Sequence, residues 1–548
     1  MSNATHHSHD APPASFAPPE PLPNRFSATQ HLFRQTISHS QRRTLCQTLV
    51  EAETDLRAYR ASINQLKTTI IVLETRRDAL EATVAKYRTL LSPIHRMPPE
   101  ILTHIFSFCC EENLLSKTNP PAVITLSAVC GRWREITLAV PRLWWTISIC
   151  IGDWYPRSEG SSFGHDLSHL LEIFMERSKE GPLHLEFSEF YHESHIRALE
   201  AELNCLLHES NRWRSLTFPG GGCSHLSELP SPFRRLRGRL STLQHLHLDF
   251  GSWNSEESSL IASDFALFSE CTSLSSLNIY RGFRLNPEFT YNFPWSQIRS
   301  LELLDCQSSH AVQIMALCTN IQEVELSRVN DLLETDPFQA VTLPELRSMS
   351  VEGWKDHASS LFQSFTLPSL SFLKIGVCSH STHWVPDVMA TFLLRSSCFI
   401  TSFSLASATL SDSEIVNLLI LMPTLTELSV EECETLYSED FTLQPRKNKI
   451  VTKRFLENLV IDTGYKPRTL LPQLADLSFT AFPLEPDTRR ILERALASRL
   501  PTIRAFTLIV VVSGVIEQEP DLSDYDSLWC FRDAGVRIHR SFTTSIYW

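Results

Sequence analysis

At 548 residues the chain has room for three to four domains of about 150 residues each, and its 43% apolar and 20% charged residues are ordinary for a protein that buries a large core. Its 16 glycines, about 3% against a usual ~7%, argue against a phosphate-cradling α/β enzyme, whose loops need positive φ. A net charge of -13 argues against a general polyanion binder, so neither a nucleic acid nor a phosphate surface is the expected partner.

Residues 1–40 carry no period; Pro12, Pro13, Pro18, Pro19, Pro21 and Pro23 crowd a Pro/His/Ser-rich stretch that predicts a disordered tail. His6, His7 and His9 could touch a metal, but a closed site needs further fixed ligands, so no metal is expected. The start has no apolar h-region of a secretory signal, and no apolar run is long enough for a membrane span. The 14 cysteines include no C-x-x-C pair and read as reduced, buried thiols. Together these predict a soluble intracellular protein, cytoplasmic or nuclear.

Residues 41–91 carry a heptad stripe. Leu49, Leu56, Ile63, Ile70 and Val84 occupy one seam position; Leu45, Ala52, Tyr59, Leu66, Leu73, Leu80 and Tyr87 fill the other. Arg77 interrupts the first row, where a charge costs stability but can fix register or partner. The pattern predicts a coiled coil, pairing either with a second copy or with a segment of its own chain. Ser92-Pro93 ends the helix.

Beyond the helix the chain reads Ile94-His95-Arg96-Met97-Pro98-Pro99-Glu100-Ile101-Leu102, then Ile105-Phe106, then Val129-Cys130-Gly131-Arg132-Trp133-Arg134 and Leu143-Trp144. The prolines sit where a helix begins and a missing N–H costs nothing. In order and residue type this stretch resembles the F-box, with two departures: Met97 stands for the usual leucine, and the connector Cys109–Pro121 is longer than the family norm. The coiled coil running straight into Ser92-Pro93-Ile94-His95-Arg96-Met97-Pro98 is similar to fungal F-box-like proteins. Two short helices capping the next domain are the plainer reading of the same residues.

From 151 to 548 the frame is apolar at i, i+3 and i+5. It fits Trp213/Leu216/Phe218, Leu243/Leu246/Leu248, Leu274/Leu277/Ile279, Ile298/Leu301/Leu303, Ile321/Val324/Leu326 and Leu346/Met349/Val351. It continues at Leu370/Leu373/Ile375, Ile400/Phe403/Leu405, Leu425/Leu428/Val430, Leu456/Leu459/Ile461, Leu474/Leu477/Phe479 and Ile503/Phe506/Leu508. Cys306, Cys378 and Cys433 take the ninth position of a leucine-rich repeat. Each frame predicts a short strand with leucines inward, and helices fill intervals such as Asp166–Ser178 and Glu193–Glu209. The expected fold class is therefore a mixed α/β repeat: a long coiled-coil helix, a small helical F-box at 92–150, and a leucine-rich-repeat-like solenoid. Such repeats are expected to need few positive-φ turns, which accounts for the scarce glycine.

The outward residues Thr217, His247, Asn278, Glu302, Glu325, Ser350, Lys374, Ser404, Ser429, Val460, Ser478 and Thr507 line a predicted concave, polar face. His247, Asn278, Glu302, Glu325, Ser350 and Lys374 are the candidate target contacts, and adjacent Glu302 and Glu325 would favour a basic partner. Gly160-Ser161-Ser162-Phe163-Gly164 fits a nucleophile elbow, but no buried strand precedes it. The basic cluster Arg446, Lys447, Lys449, Lys453 and Arg454 and the acidic run Glu517, Glu519, Asp521, Asp524 and Asp526 read as solvated loops.

No catalytic residue and no cofactor is expected. The resemblance implies a substrate receptor of a cullin-type (SCF) ubiquitin ligase. Ile94, Met97, Pro98, Ile101, Ile105, Phe106, Val129, Cys130 and Trp133 would hold a Skp-family adaptor and, through it, cullin; the repeats would hold an unidentified protein substrate. The alternatives are a repeat scaffold that dimerises through the coiled coil outside any ligase, and a serine hydrolase using Ser162.

Overall fold

The structure is a computed structural model describing residues 33, 36–154, 164–188, 200–218, 235–249, 267–280, 293–329, 340–353, 358–377, 386–406, 412–432, 435–437, 443–445, 449–461, 469–512 and 522–544. The Ser162 motif, Cys378, Cys433, Arg446, Lys447, the acidic residues 517–521 and nearly all of the N-terminal tail lie outside these residues. The chain forms two compact units, Met1–Pro98 and Pro99–Trp548.

The first unit is dominated by one helix, α1 (His39–Leu91), 53 residues and so about 80 Å long. Ser38 starts it with a capping box: Gln41 N–H donates to the Ser38 hydroxyl, and Ser38 N–H donates to Gln41 Oε1. Ser92 caps the other end, and Pro93–Arg96 makes a 3-10 turn. None of the residues of α1 is buried.

The second unit opens with α2 (Pro99–Cys109). Its apolar residues divide between two faces, Leu102 and Phe106 being buried. A two-residue strand, β1 (Leu114–Leu115), follows, then α3 (Ala122–Val129), α4 (Gly131–Ala139) and β2 (Thr146–Cys150). Trp133 packs on Phe106 at 4.8 Å between ring centroids. Trp144 donates its indole N–H to Thr137 O (2.9 Å) and meets Phe174 of the next helix, Gly164–Ser178, edge-on at 5.1 Å.

The long connector between α2 and α3 has a specific use: its middle is β1, which pairs in parallel with β2 as the first rung of the repeat sheet. Buried Asn113 holds it there. Its amide donates to Leu143 O (2.9 Å), Thr146 O (3.2 Å) and Cys110 O (3.3 Å), while Val123 N–H donates to its Oδ1 (3.0 Å).

From β2 the sheet grows one strand at a time through Leu183–Ser188, Trp213–Phe218, His245–Asp249, Ser276–Tyr280, Ser300–Leu304 and Glu323–Val329. It continues through Ser348–Gly353, Phe372–Val377, Ser402–Ala406, Glu427–Glu431, Asp476–Ala481, Ala505–Val512 and Arg537–Thr544. Among the described residues this is one sheet of 15 strands, all parallel, each paired with its predecessor. The helices Ser308–Leu317, Ala358–Ser364, Pro386–Ser396, Asp412–Ile420, Lys453–Leu459 and Pro486–Ser498 pack each against the next as one row. The frame leucines fill the space between that row and the sheet, as in Leu301, Leu303, Val324, Leu326, Met349 and Val351. Each contributes about 2 kcal/mol when buried, and no strand buries its own without a neighbour.

Eleven of the predicted frames end in strands; Leu456/Leu459/Ile461 does not. Leu456 and Leu459 lie on the inner face of the helix Lys453–Leu459, and Val460 is its C-cap, so Val460 is not an outward strand residue. Apolar spacing i, i+3 suits a helix as well as this frame, which is why the pattern misled there. The interval around it, between strands 427–431 and 476–481, breaks the repeat, and two buried charged side chains satisfy its backbone. Glu432 accepts from the N–H groups of Ile450 (2.5 Å), Val451 (2.8 Å) and Phe482 (3.2 Å). Arg499 donates to the carbonyls of Leu459 (2.7 Å), Leu471 (2.7 Å) and Leu470 (2.5 Å). Burial lowers the Arg499 guanidinium to about 10, which leaves it charged at neutral pH.

The turns also depart from expectation. Lys179, Asp305, Arg328, Ser397 and Leu471 adopt positive φ without being glycine, beside Gly238 and Gly535. Left-handed turns are therefore used; they are simply occupied by residues that carry a Cβ. Gly181 is required for space: a Cβ there would collide with the Trp145 indole. Cys306 is buried after its strand as expected, and burial pushes the thiols of Cys110, Cys271 and Cys318 up to about 12.

Asn113→Ala removes the partner of Val123 N–H and strips Leu143 O and Thr146 O of a donor, so it should cost about 2–4 kcal/mol. Hydrogen exchange should accelerate at Ser148, whose N–H donates to Asn113 O (3.1 Å), and at Val123, but not in the strands from Asp476 onward.

Candidate protein-interaction surfaces

Helix α2 presents its second apolar face to solvent. Ile101, Ile105 and Phe108 lie at i, i+4 and i+7, one row on a helix, and are 49%, 39% and 61% exposed. Val129 at the end of α3 and Leu138 on α4 are exposed too. These side chains sit on a domain that buries Leu102, Phe106, Val123, Ile136, Leu143 and Trp144. Apolar groups left out where packing partners are available nearby mark an interaction surface.

The expected adaptor contacts therefore separate by environment. Ile101, Ile105 and Val129 are exposed and able to touch a partner. Cys130 and Trp133 are half-buried, and Trp133 with buried Phe106 forms the support beneath the row. Phe106 is 1% exposed, so it holds the row in place from below. Ile94, Met97 and Pro98 belong to the first unit, where Met97 N–H closes a turn on Ile94 O (3.3 Å). Phe108 and Leu138 were not anticipated; the spacing 101, 105, 108 was the available signal.

The second surface is the outward ladder of the sheet. Strand pairing puts Glu186, Thr217, His247, Asn278, Glu302, Glu325, Ser350 and Lys374 side by side, one per strand, in unbroken register. The ladder runs on through Ser404, Ser429, Ser478 and Thr507. All six expected target contacts, His247 to Lys374, thus share one face.

Within it Glu302 is held rigidly: Asn278 Nδ2 donates to its Oε2 (2.7 Å) and the Tyr280 hydroxyl to its Oε1 (2.6 Å). Tyr280 also meets His247 edge-on at 4.3 Å. Burial, then the hydrogen bond to Glu302, raises the Tyr280 phenol. Burial lowers the His247 imidazole, with Glu302, Asp249 and Glu186 pulling the other way.

Residues two positions along each strand add to the acidity. Glu323 and Glu352 flank Glu325, while Glu427, Glu431 and Asp476 flank the serines further on. Small side chains Ser404, Ser429, Ser478 and Thr507 floor a groove of about 350 Å³ rimmed by Glu427, Asp476 and Phe372. Asp476 pairs with Arg537 on the last strand at 3.7 Å. The flanking acids follow from period-two alternation, yet only the strand register reveals that they form one field.

Among the described residues no group of three or more His, Cys, Asp or Glu side chains is placed to hold a metal ion. Among the same residues no helix is long and apolar enough to cross a membrane. No curated protein matches the chain. Residues 94–150 match the F-box-like family, and that span contains the α2 row, the α3 and α4 support and the first two strands. The chain carries an F-box-like domain at 94–150, set between a long N-terminal helix and a leucine-rich-repeat-like parallel solenoid.

Proposed function

We propose that this protein is the target-recognition subunit of a cullin-type ubiquitin ligase. Its F-box-like domain docks a Skp-family adaptor, which connects it to cullin. The outward ladder of the solenoid holds a target protein. The observation that carries the reading is the exposed row Ile101, Ile105 and Phe108 on a helix whose opposite face, Leu102 and Phe106, is buried. An apolar helix row of this kind fits a groove or helix of a partner and gains affinity by leaving water.

The target side is read from charge. Glu302, Glu323, Glu325 and Glu352 crowd neighbouring strands, with Lys374 the ladder's next cation, so a target with a basic segment is favoured over an acidic one. The chain brings no catalytic group of its own to the transfer. It works by proximity, raising the effective concentration of a target lysine near the ubiquitin carrier.

Ile101→Asp combined with Ile105→Asp changes only exposed side chains, so the fold should shift by no more than about 0.5 kcal/mol per site. Capture of a purified Skp-family adaptor by the full chain should fall at least tenfold. Equal capture by the variant, or none by the parent, rejects the adaptor role.

For the target face, Glu325→Lys on the ladder with Glu427→Lys beside it reverses the field at two exposed points. Affinity capture followed by mass spectrometry should lose the parent's specific prey and keep the adaptor. An unchanged set of prey would mean that the ladder does not select the target.

A further inference from the structure

Helix α1 leaves an apolar seam uncovered along most of its length: Leu49, Leu56, Ile63, Leu66, Ile70, Leu73, Leu80, Val84 and Tyr87 are all exposed. We propose that a second copy of this chain covers it, forming a parallel, in-register two-stranded coiled coil along residues 45–91.

From Ile63 to Val84 the seam residues favour two strands. Ile63, Ile70 and Val84 are β-branched at the first seam position, and Leu66, Leu73 and Leu80 occupy the second. That division favours parallel dimers over larger bundles. Arg77 in the first row acts in the same direction, because a charged stem can reach water at the edge of a dimer but not inside a trimer or tetramer. Its charge is met within its own helix by Asp78 (2.7 Å) and Glu81 (3.9 Å).

The flanking charges select the orientation. In a parallel pair, a residue just before the first seam position faces one five residues later on the partner copy. Asp55 then meets Arg60 of the other copy, and Arg76 meets Glu81, each pair occurring twice. The remaining facings are Thr48 with Glu53, Ser62 with Lys67, Thr69 with Glu74 and Thr83 with Arg88, so no like charges oppose each other. In the antiparallel pair of greatest overlap, Leu49 lies on Leu80 and Ile63 on Leu66. Glu53 then faces Glu74 and Arg60 faces Lys67, with only Asp55 and Arg76 matched. Helix α1 is complementary to itself in one direction.

Parallel pairing has a consequence that rests on the function proposed above. Both copies leave the coiled coil at Leu91, so both F-box-like domains begin at the same end of the rod. One dimer would then offer two ladders to a target carrying two basic segments, or to two targets, and gain avidity without any new contact.

Arg60→Glu tests the pairing and its direction together, and needs neither adaptor nor target. In the parallel dimer the substitution sets a carboxylate against Asp55; in the antiparallel one it sets that carboxylate against Lys67. Light scattering of the purified full chain should give twice the 62.5 kDa monomer mass. Arg60→Glu should weaken the dimer roughly tenfold in Kd, and adding Asp55→Arg should restore it. A monomeric parent at tens of micromolar, a trimer or tetramer, or tighter association of Arg60→Glu would overturn the proposal.

Discussion

A parallel sheet that grows strand by strand is stable only if its first strand has something to pair with and pack against. Here that start is built by Asn113. One side chain, with both its amide and its carbonyl oxygen in use, ties the α2–α3 connector to the turn before β2 and to the start of α3. The two-residue β1 that results is short, and a short edge offers little for a foreign strand to extend. The nearest strands depend on this rung most, because each repeat buries its leucines against its immediate neighbours. The F-box-like helices are thus also the cap of the solenoid. The two readings of residues 92–150, adaptor module and domain cap, describe the same side chains: Leu102, Phe106, Val123 and Trp144 face inward as the cap while Ile101, Ile105 and Phe108 face outward.

Towards the other end of the sheet one interval is longer than the rest. Among the described residues between strands 427–431 and 476–481 none joins the 15-stranded sheet, and their backbone groups lack its ladder. Buried Glu432 and Arg499 replace it, each serving three backbone partners. A buried charge is tolerated only when its hydrogen bonds are complete, so both sites are intolerant of substitution although neither touches an interaction surface. The low glycine count belongs to the same economy. Asp305 and Leu471 hold left-handed turns, and Arg328 a left-handed bulge in the strand Glu323–Val329, that glycine would occupy without strain; the packed repeats on either side over-determine them.

The strands were largely legible in the sequence because alternation is a local property: Leu301 and Leu303 point inward for the same reason wherever the strand ends up. Two kinds of information were not local. The frame at Leu456 has apolar residues at a spacing that a helix satisfies equally, and only the missing sheet neighbour decides between them. The rung at β2 was hidden for the opposite reason: Trp144/Ile147/Ile149 fits the repeat frame but sits inside the F-box pattern, and both are true. At the candidate site, the identities of the α2 residues were readable. Which of the neighbouring phenylalanines, Phe106 or Phe108, faces a partner was not, because that depends on where Trp133 comes to rest.

The distribution of charge joins the parts into one device. Acidic residues are gathered on the outward face, where register stacks Glu302 beside Glu325, and like charges held this close are unfavourable without a ligand. Part of that cost is met internally by Asn278 and Tyr280 at Glu302, which fixes the carboxylate before any target arrives. Glu323, Glu325 and Glu427 are exposed on the same face, so the basic target proposed above would relieve repulsion as well as form new pairs. Along α1 the signs alternate instead, so that a copy of itself is the best match. A face that repels itself and a helix whose flanking charges complement its own are consistent with the pairing proposed above, each calling for a different partner.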